Sequence, residues 1–216
     1  MENNENVWED LLENLMMLDY REGSAVMAIE QKIYASLQRQ PDAIEGLITL
    51  MFEQIMLGNR TKAKTLAYKI WEIGGELNRF FEEIYTENLL NLGLIDMAAV
   101  LLKNRFDDLH DTIGEFYPVL VKFALMTGNI AQLNRLGAYP ETVDDTLLFA
   151  LAEVYQKAGA VEAFKNIQQL IWEQVGEYLC SYEYNLYDDR GFPELEIVLY
   201  ICLLYTSPSP RDRQKS

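Results

Sequence analysis

The sequence predicts an all-α fold, an α-solenoid of about five antiparallel helix pairs, followed by a short β-hairpin. Three observations predict it. Gly23, Gly58, Gly93, Gly128 and Gly159 each separate two apolar-periodic segments, at spacings of 35, 35, 35 and 31 residues, the period of stacked helical hairpins. Eight residues before each glycine lie Leu15, Leu50, Tyr85, Leu120 and Leu151, all apolar. Five after it lie Ala28, Ala63, Ala98, Leu133 and Phe164, small in the first three, and a small residue there lets two antiparallel helices approach closely. Beyond residue 180 helical periodicity gives way to alternation.

The elements follow in order. Val7–Asp19 places Trp8, Leu11, Leu12, Leu15 and Leu18 at helical spacing. Tyr20–Gly23 is a turn, and Ser24 caps a helix to about Arg39 with Ala25, Ala28, Ile29, Ile33 and Leu37 inward. Pro41 stops it, because proline cannot continue a helix. Asp42 then caps Ala43–Leu57, and Thr61–Ile73 pairs with it until Gly74 and Gly75 break the run. Leu77–Leu92 and Ile95–Phe106 make the third hairpin; Ile113–Thr127 and Ile130–Leu136 make the fourth. Pro118 sits one turn into Ile113–Thr127, where its missing N–H costs least, or it kinks the helix. Thr142 or Asp144 caps a fifth pair, which runs through Ala158 and then over Val161–Tyr178.

Residues 1–179 therefore read as the repeat array. Residues 180–201 read as strands at Ser181–Tyr187 and Glu194–Ile201, joined by the turn chemistry of Asp188-Asp189-Arg190-Gly191. The hairpin caps the array or begins a truncated second domain, and the apolar alternating strand up to Ile201 favours the second domain. Residues 202–216 stand apart. Cys202-Leu-Leu-Tyr-Thr-Ser-Pro-Ser-Pro-Arg-Asp212 resembles the translation of a sequencing-library adapter, so the native sequence is expected to end near Ile201.

Half of the residues are apolar and a quarter charged, with a formal net charge of −16. Without the tail, 15 basic and 33 acidic residues remain. Such a surface repels phosphate backbones, which argues against a nucleic-acid partner. No uncharged run approaches a membrane span, and no basic segment leads into a secretory apolar run. The expectation is a cytoplasmic protein without a membrane partner.

Reactive chemistry is sparse, and no cofactor or metal is expected. His110 is the only histidine; Asp107, Asp108 and Asp111 surround it. Two ligands at helical spacing make no metal site without partners elsewhere, so a helix-start cluster of solvated acids is expected there. Cys180 has no histidine to activate it and reads as a small buried apolar residue. The pairs Glu9/Asp10 and Glu82/Glu83 are sequence neighbours, so they point to different helix faces and do not work as acid–base pairs. No Gly-rich phosphate loop and no nucleophile elbow occurs. The aromatics Tyr34, Tyr68, Trp71, Phe80, Phe81 and Trp172 sit at helical spacing and are expected mostly in the core.

The turn glycine followed five residues later by alanine, best seen in Gly58/Ala63 and Gly93/Ala98, resembles the tetratricopeptide repeat. The match covers roughly Val7 to Gln174. The family's early Trp survives only as Trp8 and its closing Pro only as Pro41, and the fourth and fifth units depart at the Ala position. The resemblance implies a superhelix whose first helices line a concave groove, with lining ten, six and three residues before each glycine. Those positions are Glu13, Met17 and Tyr20; Ile48, Phe52 and Ile55; Glu83, Glu87 and Leu90; Pro118, Lys122 and Leu125; Phe149, Glu153 and Gln156. An apolar lining with acids suits a basic or amphipathic peptide or partner helix. Packing between neighbouring repeats accounts equally well for the apolar members. The expected function is a non-enzymatic protein–protein interaction scaffold. The alternative is the regulatory or targeting half of an enzyme or toxin whose catalytic domain lies beyond Ile201.

Overall fold

A computed structural model describes residues 5–18, 23–107, 116–138, 143–189 and 191–201. Among them are ten helices and a two-stranded antiparallel hairpin, so the chain is all-α with a short β-hairpin. The helices are α1 Glu5–Met16, α2 Gly23–Leu37, α3 Ile44–Met56, α4 Arg60–Ile73, α5 Arg79–Asn91, α6 Ile95–Asp107, α7 Tyr117–Met126, α8 Ile130–Gly137, α9 Val143–Lys157 and α10 Val161–Val175. A 3-10 turn, Gly176–Tyr178, leads into β1 Leu179–Asp189 and β2 Phe192–Ile201. The adapter-like tail, Tyr20, the surroundings of His110 and the side chain of Cys180 lie outside the described residues. By packing, residues 1–88 and 89–200 form two compact units, with the border inside α5.

Four of the five repeat glycines build the same turn. Gly58, Gly93, Gly128 and Gly159 have φ between 62° and 75°, the left-handed region that a side chain would strain. Each glycine N–H donates three residues back, and the next N–H five residues back: Gly58 to Ile55 and Asn59 to Gln54, Gly128 to Leu125 and Asn129 to Ala124. This doubly bonded helix end satisfies carbonyls that the helix leaves open. The following helix starts on the same register, because Ala63, Ala98, Leu133 and Phe164 each donate the N–H of its first α-helical bond. Gly23 differs. It is the first residue of α2, so the first interval is not a turn-to-turn spacing. Ala28 is consequently exposed; Ile33 and Leu37 are buried as expected, and Val26 joins them.

In the first unit α3 is packed by α1, α2 and α4. Most of its length is buried, as expected for a helix apolar on nearly all sides. A Cβ on Gly46 would stand 2.7 Å from the Trp8 ring and 2.9 Å from Leu37, so the missing side chain is what lets α1 and α2 close onto α3. Ala63 and Ala67, both fully buried, do the same for α4. The Ala67 carbonyl accepts from the Tyr85 hydroxyl at 2.9 Å. Asp42 does not cap α3: the N-cap is Ala43 without a side-chain bond, while the Asp42 carboxylate pairs with Lys69 at 3.3 Å. Asn78 caps α5 instead, accepting from the Phe81 N–H at 3.0 Å.

In the second unit α7 is the buried helix. Val119 to Met126 are all covered, and Pro118 occupies its first turn, where no intrahelical N–H is lost. Asn129 caps α8 through the Gln132 N–H at 3.1 Å. A Cβ on Gly137 would lie 2.8 Å from the Phe149 backbone nitrogen, so α8 and α9 touch backbone to backbone there. The hairpin docks through β1 on α7 and α9. Tyr182 is fully buried, its N–H reaches Asn91 Oδ1 at 3.4 Å and its hydroxyl meets Gln168 Oε1 at 3.1 Å. Gly191 closes the strand turn at φ 86°, its N–H donating to Asp188 at 2.6 Å.

Enlarging a helix-contact alanine should overpack the array. Ala63→Leu and Ala98→Leu are each expected to cost about 1–3 kcal/mol in denaturant melts. Ala43→Leu, at the partly exposed start of α3, should cost less. Equal tolerance at all three sites would contradict the helix register.

Candidate interaction surfaces

The groove positions divide sharply by burial. On the first unit, Glu13 is exposed and Met17 is 88% exposed, while Phe52, Glu83 and Glu87 are half-buried. Ile48 and Ile55 are in the core. On the second unit, Pro118, Phe149, Glu153 and Gln156 are exposed, whereas Leu90, Lys122 and Leu125 are buried. Ile48, Ile55, Leu90 and Leu125 are therefore packing residues, not free lining. For Ile48 and Ile55 on α3 and Leu125 on α7 the cause is that these helices are apolar around nearly their whole circumference, so the position that would face a ligand is covered by a neighbouring helix; Leu90 lies in the buried end of α5, residues 88–91. Glu153 pairs with Lys157 one turn on, at 2.6 Å. An exposed i,i+4 pair of this kind stabilises weakly and stays available to a competing cation.

The aromatics also depart from expectation. Phe81 alone of the six is fully covered; Phe80 and Trp172 are half-buried, and Tyr34, Tyr68 and Trp71 are 37%, 50% and 40% exposed. Tyr68 and Trp71 lie three residues apart on the outer face of α4. Lys62, on the same helix, reaches the Tyr34 hydroxyl end-on, as its donor at 2.5 Å.

A buried polar cluster in the first unit was not anticipated. Glu53, on α3, is fully buried. One of its oxygens accepts from the Gln54 amide, and the other, Oε1, is buried with no hydrogen bond among the described residues. Gln54 Nε2 also reaches Glu30 at 3.3 Å, and Asn59 donates to Gln54 Oε1 at 2.9 Å. Lys62 closes the cluster, 3.8 Å from Glu30 and donating to the Tyr34 hydroxyl. Burial pushes the Glu53 carboxyl up to about 7; Gln54 opposes the shift, Glu30 adds to it and Lys62 opposes it. Burial works against the Lys62 ammonium, but Tyr34, Glu30 and Glu53 outweigh it and move its pKa up. The sequence carried a signal for this cluster. Glu53 and Gln54 interrupt an apolar helix that has no polar face to receive them.

Among the described residues no group of three or more His, Cys, Asp or Glu side chains is placed to hold a metal ion, and no helix is long and apolar enough to cross a membrane. A small cleft at the α1–α2 contact, about 90 Å³, is lined by Val7, Trp8, Ser36, Arg39 and Gln40. Compared with protein-family models, curated proteins and solved structures, the chain matches none.

Proposed function

We propose that the chain is a non-enzymatic interaction scaffold of tetratricopeptide type that binds a basic amphipathic segment on its first helices. The observation that carries this reading is the mixture of acids and uncovered apolar side chains at the groove positions that are not core. Glu13 on α1 and Met17 just past its end accompany half-buried Phe52 on α3. Phe149, Glu153 and Gln156 on α9 repeat the mixture on the second unit. The four glycine turns and the buried alanines at 63 and 98 support the family assignment. Apolar contacts supply most of the affinity in such a surface, and the acids supply on-rate and orientation. The scaffold works in the cytoplasm, and its charge disfavours nucleic acid.

The test titrates a labelled amphipathic Lys/Leu helical peptide against the chain and two variants. Phe52→Ala should weaken binding about tenfold, and Glu87→Gln only about two- to threefold, because aromatic anchors dominate interfaces. Raising salt should weaken binding modestly, since exposed charges are screened beyond about 8–10 Å. Unchanged binding by Phe52→Ala and by Phe149→Ala would overturn the reading.

A further inference from the structure

The hairpin carries a second surface of a different kind. Among the described residues its strands, 11 and 10 residues long, pair only with each other. β1 is the strand docked on α7 and α9, which leaves β2 as the outer strand with one backbone edge open to pairing. Such an edge is a template for another strand. Pro193 has no N–H to offer, so the usable edge runs from Glu194 to Leu199.

The two faces of the hairpin are chemically distinct. Tyr184, Leu186, Leu195, Ile197 and Leu199 are half-buried on one side. Glu183, Asn185, Tyr187, Glu194, Glu196 and Tyr200 are exposed on the other. Glu196 accepts from Asn185 at 2.9 Å and from the Tyr187 hydroxyl at 3.0 Å, both on β1, so its carboxylate leans across the hairpin, while Glu194, exposed on the same face, is the acid left nearer the outer edge. Residues 179–201 contain five acids, Glu183, Asp188, Asp189, Glu194 and Glu196, against Arg190 alone.

We propose that the outer edge of β2 accepts an extended basic peptide, which adds to the hairpin as a third strand. Its main chain satisfies the open N–H and C=O groups, its apolar side chains continue the Leu195–Ile197–Leu199 face, and its alternate Lys or Arg side chains share the face that carries Glu194 and Glu196. The acids also select the occupant. A second copy of this chain would bring like charges opposite one another, which destabilises a strand pair. The surface and the extended ligand both differ from the helical segment proposed for the first helices.

The probe is a fluorescein-labelled ten-residue peptide of alternating Lys and Val, titrated against the full chain by anisotropy. Saturable binding is expected. A version N-methylated throughout keeps its charge but donates no main-chain hydrogen bond, and should bind at least about tenfold more weakly. Glu194→Lys/Glu196→Lys should lose the Lys/Val peptide by a similar factor and gain the Glu/Val counterpart. Phe52→Ala should leave the titration unchanged, so failure here and failure of the groove reading are separable. Equal binding of the N-methylated peptide would reduce the effect to diffuse attraction by an acidic protein and overturn the proposal. So would absent binding, or self-association of the chain in sedimentation that the double variant abolishes. The N-methyl comparison uses the unaltered chain, so it decides the matter even if the double variant misfolds.

Discussion

Gly128→Ala is expected to destabilise the chain by about 2–4 kcal/mol, several times the cost of the same change at Gly159. Both glycines have nearly the same left-handed φ, 62° and 65°, so both substitutions incur the roughly 1 kcal/mol strain of a side chain in that region. Their surroundings differ. A Cβ at Gly128 would lie 2.5 Å from Lys165 Cα and 3.1 Å from its backbone nitrogen, whereas nothing lies within 4 Å of one at Gly159. Backbone cannot rotate away as a side-chain tip can, so α10 must shift, at the roughly 1–3 kcal/mol typical of overpacking. Denaturant midpoints of the two variants check this, and equal losses would contradict the packing of the fourth turn against α10.

Glu53→Gln should stabilise the chain at pH 8 by on the order of 2–3 kcal/mol and leave it nearly unchanged below pH 4.5. The sign follows from the buried carboxyl. It ionises at about 7 in the folded chain against a reference value of 4.5, so the folded state holds a proton that the unfolded state releases. Raising the pH through this window therefore lowers stability, and above about 7 the full penalty of a buried carboxylate is present. Glutamine keeps the shape and a hydrogen-bonding end but cannot ionise. The decisive quantity is the difference between the two stability-against-pH curves. It should open between pH 4.5 and 7, and parallel curves would show that Glu53 is solvated in the folded state.

The repeat turns were legible in the sequence because a left-handed helix end selects glycine, and the positions eight before and five after it were legible because both face the partner helix. Leu15, Leu50, Tyr85, Leu120 and Leu151 are all buried, as are Ala63, Ala98, Leu133 and Phe164. Ala28 failed because Gly23 begins a helix rather than ending one. The groove was legible only in part. Period 3.6 says which residues share a face, but α3 and α7 are apolar on nearly every face, and only the neighbouring helices decide that Ile48, Ile55 and Leu125 are covered; the same holds for Leu90 at the buried end of α5. Tyr68 and Trp71 show the converse, since aromatic size alone does not put a residue inside when its helix face has no neighbour to cover it. Glu53 and Gln54 visibly interrupt the apolar pattern of α3, but the burial of Glu53 depends on α1, α2 and α4 all closing around α3, which that local pattern does not encode.

Partners are expected to be taken up on the first helices. Amide hydrogen exchange with and without the Lys/Leu helical peptide tests this most directly. The account predicts added protection on α1 around Glu13–Met17, on α3 around Phe52 and on α9 around Phe149–Gln156, with α4 unchanged. Protection confined to α4 around Lys62, Lys64 and Lys69, with α1, α3 and α9 unaffected, would contradict it.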